Sequence, residues 1–330
     1  MGSPSGIPKP SASAPFPHSI RLCDALTSST DTQGRHTLLS RNPSEKWLPG
    51  FPRVPLAHAS GIVACLGREL TTPKLDAMLP YLWLVATPRS THVSSLTNQL
   101  VRGREIVVTE DPELHIVWLH SRIFIKPIPP FLFSHALWEV YLGPASSPSF
   151  HSSETDKLRR AALGYMRSYY HLIQHESDYR LAQEVRLIPL EIGFPQFMAF
   201  IDHFGSIPDS AVSPRYIYGQ LRLTRLNTWA LPALGKWQFQ KVHWQYADIF
   251  AQFYAPILLA FAFLSVVLTA MQVAAQVRPA WEEFASVAAW FSVLCLLSVG
   301  LTGVAMLMLL LTLMMKELTF AVRAKKAMVN

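Results

Sequence analysis

The chain has 330 residues, of which 50% are hydrophobic and 15% are charged, and its formal net charge is +7. A soluble domain usually carries about 25% charged residues, so this chain is poor in charge, and the deficit is concentrated near its C-terminus. This composition excludes a wholly soluble protein, a disordered protein and a small disulfide-rich secreted protein.

The basic residues are spread along the chain and form no clustered stripe. Nucleic-acid binding is therefore not predicted, whereas a mild positive excess fits proximity to anionic lipid. The three cysteines form no CxxC pair, which favours a reducing compartment for the large domain.

The N-terminal residues 1–55 are rich in proline, serine and threonine, and we predict that they form a disordered tail. A mostly buried segment is expected at residues 60–70. A short helix is expected at residues 72–85, with Thr72 as its N-cap and Pro73 in its first turn.

Three short runs at residues 106–109, 114–118 and 122–126 are rich in β-branched and aromatic residues. They predict a small antiparallel sheet. A helix is predicted at residues 131–142.

Apolar residues at helical spacing then predict one long helix from residue 154 to about residue 187. Further helices are predicted at residues 195–204, from residue 214 after a Ser213 cap, and at residues 237–250. The predicted fold is a mainly helical α+β domain with a small antiparallel sheet, followed by a two-helix transmembrane hairpin.

Residues 249–277 and residues 284–315 contain no charged side chain. About 20 apolar residues suffice to cross the hydrocarbon core, so each run predicts a transmembrane helix. The link between them is too short for a domain, and the two helices must therefore run antiparallel. The predicted divisions are a disordered tail 1–55, a cytosolic α+β domain 56–248, transmembrane helix 249–277, a loop 278–283, transmembrane helix 284–315 and a basic cytosolic tail 316–330.

The distribution of basic residues predicts the orientation. The loop between the spans contains Arg278, whereas six basic residues flank the spans on the other side: Lys236, Lys241, Lys316, Arg323, Lys325 and Lys326. Because loops rich in Lys and Arg stay in the cytosol, we expect an integral membrane protein with both termini cytosolic. The expected partners are the lipid bilayer and either another protein or further copies of this chain.

His171 and His175 are the best candidates for metal ligands, because histidines four residues apart share a helix face. The alternative is a polar helix face, and no adjacent His-His pair exists to complete a di-iron site. The chain also lacks a GxSxG elbow, a P-loop, a GxGxxG and an HExxH motif. We therefore assign no catalytic residue, cofactor or resident metal, and no enzymatic activity is predicted.

Three arginines, Arg215, Arg222 and Arg225, lie shortly before the first span. They predict contact with phospholipid headgroups or with acidic groups of a partner, and the alternative is pairing inside the domain with Glu184, Glu191 or Asp202. Glu282 and Glu283 lie in the loop between the spans. In an oligomeric pore they would form a carboxylate ring, and otherwise they are solvated loop residues.

Residues 114–132, 168–189, 209–227 and 266–273, among them the strings LHIVWLHSRIFIKPIPPFL and DSAVSPRYIYGQLRLTRLN, resemble an uncharacterised family of filamentous-fungal two-span membrane proteins. The resemblance covers roughly residues 60–320 and implies a fungal source and a membrane location. Some members carry an automatic label of subtilisin-like serine protease, which no motif here supports.

We therefore expect an integral membrane protein that serves as a membrane-anchored interaction or scaffold module. The alternative is a homo-oligomeric cation channel or transporter. Its layout is similar to that of the magnesium-transport family, but the chain lacks that family's Gly-Met-Asn motif and has AMQVAAQVRPAWEE in its place.

Overall fold

A computed structural model describes residues 14–30, 36–42, 44–143, 152–235, 239–240, 246–278 and 281–329. The chain divides into two compact units, Met1–Lys241 and Val242–Asn330. The first unit combines helices with small sheets, and the described residues of the second form two long apolar helices with a short link, so the predicted α+β class is confirmed.

The described strands all belong to the first unit. They are β1 (Leu26–Thr30), β2 (His36–Ser40), β3 (Trp47–Leu48), β4 (Phe51–Pro55), β5 (Glu105–Val108), β6 (Val117–Leu119), β7 (Arg122–Ile125) and β8 (Leu221–Arg222).

The predicted strands at residues 106–109 and 122–126 correspond to β5 and β7, which belong to a four-stranded sheet in the order β5-β7-β6-β8. The strand predicted at residues 114–118 is wrong at its start, because Pro112–Leu114 form a 3-10 helix and β6 begins only at Val117. Strands β6 and β7 pair antiparallel because a tight turn joins them. Strands β5 and β8 each add in parallel, to β7 and β6 respectively, so this sheet is mixed rather than purely antiparallel. Two separate antiparallel hairpins, β1-β2 and β3-β4, accompany it.

The described α-helices follow in chain order. They are α1 (Ala59–Leu70), α2 (Pro73–Ala77), α3 (Leu79–Val85), α4 (Leu96–Val101), α5 (His135–Tyr141), α6 (Ser152–Leu172), α7 (Glu176–Glu184), α8 (Phe194–Gly205), α9 (Leu223–Leu234), α10 (Tyr246–Val277) and α11 (Glu282–Val329).

Helix α6 lies at the centre of the first unit and packs against α1 and α8. Its buried positions recur at the helical spacing on which the prediction rests, and they include Leu158, Ala162, Tyr165, Tyr169 and Leu172.

The prediction of one helix over residues 154–187 is wrong at residues 173–175, where the chain leaves α6 and restarts as α7. The carboxylate of Asp178 accepts hydrogen bonds from the backbone N–H groups of Gln174 and His175. These donors are thereby satisfied outside a continuous helix.

The predicted helix starting at residue 214 is also interrupted. Residues Pro214–Ile217 form a short 3-10 helix, the backbone N–H of Gln220 donates to His92 O at 3.1 Å, and Leu221 joins β6 in the sheet. Helix α9 therefore begins only at Leu223.

The prediction that residues 1–55 are disordered is wrong for residues 14–30, 36–42 and 44–55, which form the two hairpins and a 3-10 helix. Phe16 is only 2% exposed, and its ring meets that of Phe200 edge-on at a centroid distance of 4.8 Å. Leu26 and Leu38 are buried as well, and β1 and β2 pack on α5. Isolated apolar residues between the prolines thus anchor the segment. Residues 1–13 lie outside the described residues.

The second unit contains α10 and α11. The predicted first span, residues 249–277, lies within α10, and the predicted second span lies within α11. Helix α11 continues without a break through the predicted basic tail as far as Val329, and it begins at Glu282, so the link between the helices is shorter than the predicted loop 278–283. The prediction of a helix at 237–250 falls partly outside the described residues.

Candidate functional site

Two segments of the second unit are long and apolar enough to cross a bilayer, Leu258–Val277 in α10 and Glu282–Ala305 in α11. Their side chains are largely exposed. Val266 is 68% exposed and Leu294 is 64% exposed, and Cys295 is the one buried residue among those described in the two segments. Exposed apolar surface of this extent is unfavourable in water and is typical of a surface that contacts lipid or protein.

Glu282 and Glu283 form the first turn of α11 rather than lying in a free loop. Both are exposed. Carboxylates in the first turn stabilise a helix because they interact with the partial positive charge of its N-terminus. The positions of Glu282 and Glu283 are therefore explained by a single chain, without an oligomeric pore.

Arg215 lies inside the first unit and is 1% exposed. Its guanidinium donates to three backbone carbonyl oxygens, those of Tyr218 at 3.0 Å, Gly219 at 3.2 Å and His115 at 3.0 Å. Burial lowers the pKa of Arg215 to about 10. The predicted contact of Arg215 with lipid or a partner is therefore wrong, because its guanidinium is buried and already donates hydrogen bonds to backbone carbonyls.

Arg222 and Arg225 lie nearer the surface. The guanidinium of Arg222 lies over the ring of Trp118, with its Cζ atom 5.0 Å from the centroid. Arg225 is exposed and donates to Val85 O at 3.1 Å. Within the described residues neither pairs with the predicted carboxylates of Glu184, Glu191 or Asp202.

The two histidines proposed as metal ligands do not share a helix face. His171 belongs to the last turn of α6, whereas His175 is the N-cap of α7. Within the described residues no group of three or more metal-ligating side chains comes together. The prediction that His171 and His175 share one helix face is therefore wrong, because the break at residues 173–175 separates the two histidines.

A buried ion cluster around Lys126 was not foreseen from the sequence. The Lys126 amine is fully buried and donates to Glu69 Oε2 at 2.7 Å, to Glu110 O at 2.7 Å and to Glu110 Oε2 at 3.1 Å. The hydroxyl of Tyr165 donates to the backbone carbonyl of Lys126 at 2.7 Å. An ammonium has three hydrogens to donate, so this saturated cluster holds β7 to α1 and α6 and leaves no donor for a ligand.

His115 and Ser168 are in hydrogen-bond contact, with Nε2 and Oγ 2.8 Å apart. The backbone N–H of Lys126 donates to His115 Nδ1 at 3.2 Å, so the ring proton lies on Nε2 and points at Ser168. Ser168 in turn donates to Tyr165 O at 2.6 Å. A nucleophile–base pair needs the opposite direction, with histidine accepting the serine proton. This pair therefore does not activate Ser168 as a nucleophile.

A cavity of about 230 Å³ lies between the N-terminal segment and α5. The rings of His18 and His135 meet edge-on there, with centroids 5.2 Å apart, and Arg21 pairs with Asp24. The two arginines and two carboxylates in the lining balance in charge. Sequence reasoning missed this cavity because it treated the segment as disordered.

The comparison with known families bears on all of these features. Residues 62–299 match the family of unknown function DUF6601. The chain belongs to this family. The matched range includes the four-stranded sheet, the whole Leu258–Val277 segment and most of the Glu282–Ala305 segment, so DUF6601 takes in residues of both units.

Neither the curated proteins nor the solved structures contain a match to the chain. The DUF6601 description names no activity. It agrees with the resemblance to an uncharacterised family, and it adds neither a fungal source nor a protease activity.

Proposed function

We propose that this DUF6601 protein is a membrane-anchored interaction module. Helices α10 and α11 hold the chain in a bilayer as an antiparallel hairpin, and the α+β domain works from the cytosolic side through non-covalent contacts with lipid and protein. The observation that carries this proposal is the exposed apolar surface of the two segments Leu258–Val277 and Glu282–Ala305.

Energetic considerations support membrane insertion. Leucine, isoleucine, phenylalanine and valine each favour the centre of a transmembrane helix by about 0.3–0.6 kcal/mol, and both segments contain many of them. Apart from the terminal turns next to the link, the backbone polar groups of both segments are satisfied within their own helices, which is the condition for crossing hydrocarbon. Segment lengths of 20 and 24 residues also fit the thickness of the hydrocarbon core.

The cytosolic placement of the domain rests on the basic flanks. Lys236, Lys241 and the basic residues after residue 315 outnumber Arg278 in the link. Both chain ends of an antiparallel hairpin emerge on one side, so the domain and the C-terminus share that side.

Alkaline carbonate extraction of cell membranes tests the anchor. The wild-type chain should remain in the membrane pellet and be released only by detergent. Recovery of the wild-type chain in the aqueous supernatant would overturn the proposal.

A pair of substitutions makes this test specific. Val266→Arg together with Leu294→Arg places charge near the middle of both segments, at a cost of about 2.5–3.5 kcal/mol each, and should shift the chain toward the supernatant. The control is Leu190→Arg, because Leu190 is 65% exposed on the first unit. This control should remain in the pellet like the wild type.

A further inference from the structure

Two arginines of the first unit share one tryptophan. The Cζ atom of Arg104 lies 4.1 Å from the ring centroid of Trp118, and that of Arg222 lies 5.0 Å from it. All three side chains are half-buried, so the group reaches the surface while its backbone is fixed in the fold. We call Arg104, Trp118, Gln220 and Arg222 the Trp118 cluster.

The sheet fixes the geometry of the Trp118 cluster. Strands β6 and β8 pair in parallel with Trp118 opposite Arg222. Arg104 reaches the same ring from the turn between α4 and β5, where Gly103 adopts a positive φ of 69° and the backbone N–H of Arg104 donates to Gln99 O at 3.0 Å. Positive φ is accessible to glycine at little cost, so this turn places Arg104 without strain.

The cluster contains positive charge without a carboxylate. Arg122 on the neighbouring strand pairs with Glu105 at 3.1 Å, whereas within the described residues neither Arg104 nor Arg222 forms an ion pair. Burial and the nearby charge of Arg102 lower the pKa of Arg104. The positive charge of Arg104 is therefore not neutralised by a carboxylate, and its charged neighbour, Arg102, is also positive.

The cluster also has an excess of hydrogen-bond donors. Arg104 Nη1 donates to Gln99 Oε1 at 2.9 Å and to Gln220 Oε1 at 3.1 Å. Because a guanidinium only donates, these bonds fix the orientation of the Gln220 amide and leave its Nε2 as the remaining donor. Gln220 is 7% exposed, and its Nε2 is buried without a partner in the described structure. An unsatisfied buried donor is costly, and an anion that reached the Gln220 amide from the surface side of the two arginines would satisfy it.

We propose that the Trp118 cluster binds the phosphate of an anionic phospholipid headgroup, with Arg104, Arg222 and the Gln220 amide as donors. The inference rests on the proposed function, because the membrane anchor is what makes a lipid the source of the phosphate. Guanidinium groups favour phosphate through planar, charge-assisted hydrogen bonds, and aromatic rings favour the headgroup region.

Binding to the full-length chain in neutral detergent tests the site. The probes are short-chain phosphatidic acid, short-chain phosphatidylcholine and inorganic phosphate, each titrated by calorimetry. Phosphatidic acid should bind at least about tenfold more tightly than the other two. Equal binding of phosphatidylcholine, or tighter binding of inorganic phosphate, would overturn the headgroup as the ligand.

Substitutions locate the binding. Arg104→Gln with Arg222→Gln should weaken phosphatidic acid binding by about tenfold or more. The charge-matched control, Arg53→Gln with Arg180→Gln, removes two exposed arginines elsewhere on the domain and should leave affinity within about twofold. An unchanged affinity in the first variant would refute the site.

Gln220→Glu keeps the test decisive if the arginine variant unfolds. It places a carboxylate next to Arg104, so the melting temperature should rise while phosphatidic acid binding is lost. Retained binding would count against the site. Carbonate extraction of the same variants should match the wild type, and because the titrations are done in detergent, failure of the headgroup site and failure of the anchor give separate results.

Discussion

Single side chains in the first unit are held by hydrogen bonds whose directions decide what they can do. His115 accepts at Nδ1 from the backbone of Lys126 and donates from Nε2 to Ser168. Burial, assisted by the charges of Arg215 and Lys126, lowers the pKa of His115 well below its usual range. The ring is therefore a neutral structural link between β7 and α6.

This burial predicts a pH dependence of stability. The unfolded chain protonates His115 near pH 6.5, whereas the folded chain resists protonation, so stability present above that pH is lost as the pH falls. We expect the free energy of unfolding of the wild type to decrease between about pH 7.5 and about pH 5.5, with up to ~1.4 kcal/mol per pH unit from this histidine.

His115→Asn keeps an acceptor for the Lys126 N–H and removes the titration. Denaturant unfolding of the full-length chain in detergent should give a shallower pH slope for this variant than for the wild type. His203→Asn removes an exposed histidine and serves as the control for the loss of a histidine side chain. Identical slopes for the wild type and His115→Asn would contradict the buried neutral ring.

Within helices, the packing around a glycine, rather than helix propensity alone, decides whether its replacement by alanine stabilises the fold. Gly67 in α1 has open space where a Cβ would lie, whereas a Cβ on Gly164 in α6 would come within 2.4 Å of the Tyr216 ring. Alanine is normally more favourable than glycine inside a helix by about 0.8–1.0 kcal/mol.

Gly67→Ala and Gly164→Ala should therefore have opposite effects on stability. The first should raise the free energy of unfolding by about 0.5–1 kcal/mol, and the second should lower it by about 1–3 kcal/mol, as overpacking does. Thermal unfolding of both variants in the same detergent measures the difference. A stabilising Gly164→Ala would mean that Tyr216 does not pack tightly against α6.

The sequence was informative where a local pattern suffices. Helical spacing identified the buried face of α6, and β-branched runs identified the strands β5, β6 and β7. Elsewhere the structure depends on contacts between residues far apart in the chain, which a local sequence pattern does not reveal. The break between α6 and α7 depends on Asp178, whose carboxylate also accepts from Thr97, 81 residues away. The structure of residues 14–30, 36–42 and 44–55 depends on isolated residues such as Phe16, which carry no periodic signal.

For the candidate site residues, too, the sequence did not reveal the long-range contacts. Arg222 was singled out from its charge alone, but its neighbours Arg104 and Trp118 come from distant strands and turns that pair only in the folded sheet. Arg215 looks identical to Arg222 in the sequence, and only the carbonyls of Tyr218, Gly219 and His115 place it in the interior.

For the whole molecule, the proposed orientation in the membrane rests on the asymmetry of basic charge around the two spans. We expect an Asn-x-Ser glycosylation acceptor, inserted with a flexible spacer between residues 278 and 281, to be modified in a eukaryotic host, because glycosylation occurs on the side opposite the cytosol. The same acceptor appended after Asn330 should stay unmodified. The reverse pattern would place the domain outside the cytosol.

Reversing the charge bias tests the cause of this orientation. Glu282→Lys and Glu283→Lys place two further basic residues at the start of α11, on the same side of the spans as Arg278. Glutamine at Lys316, Arg323, Lys325 and Lys326 leaves only Lys236 and Lys241 among the flanking cations named above. Since orientation follows Lys and Arg near the spans, this variant should lose modification in the link and gain it at the C-terminus. Unchanged modification would mean that the folded domain, rather than the charge distribution, dictates the side on which the chain is held.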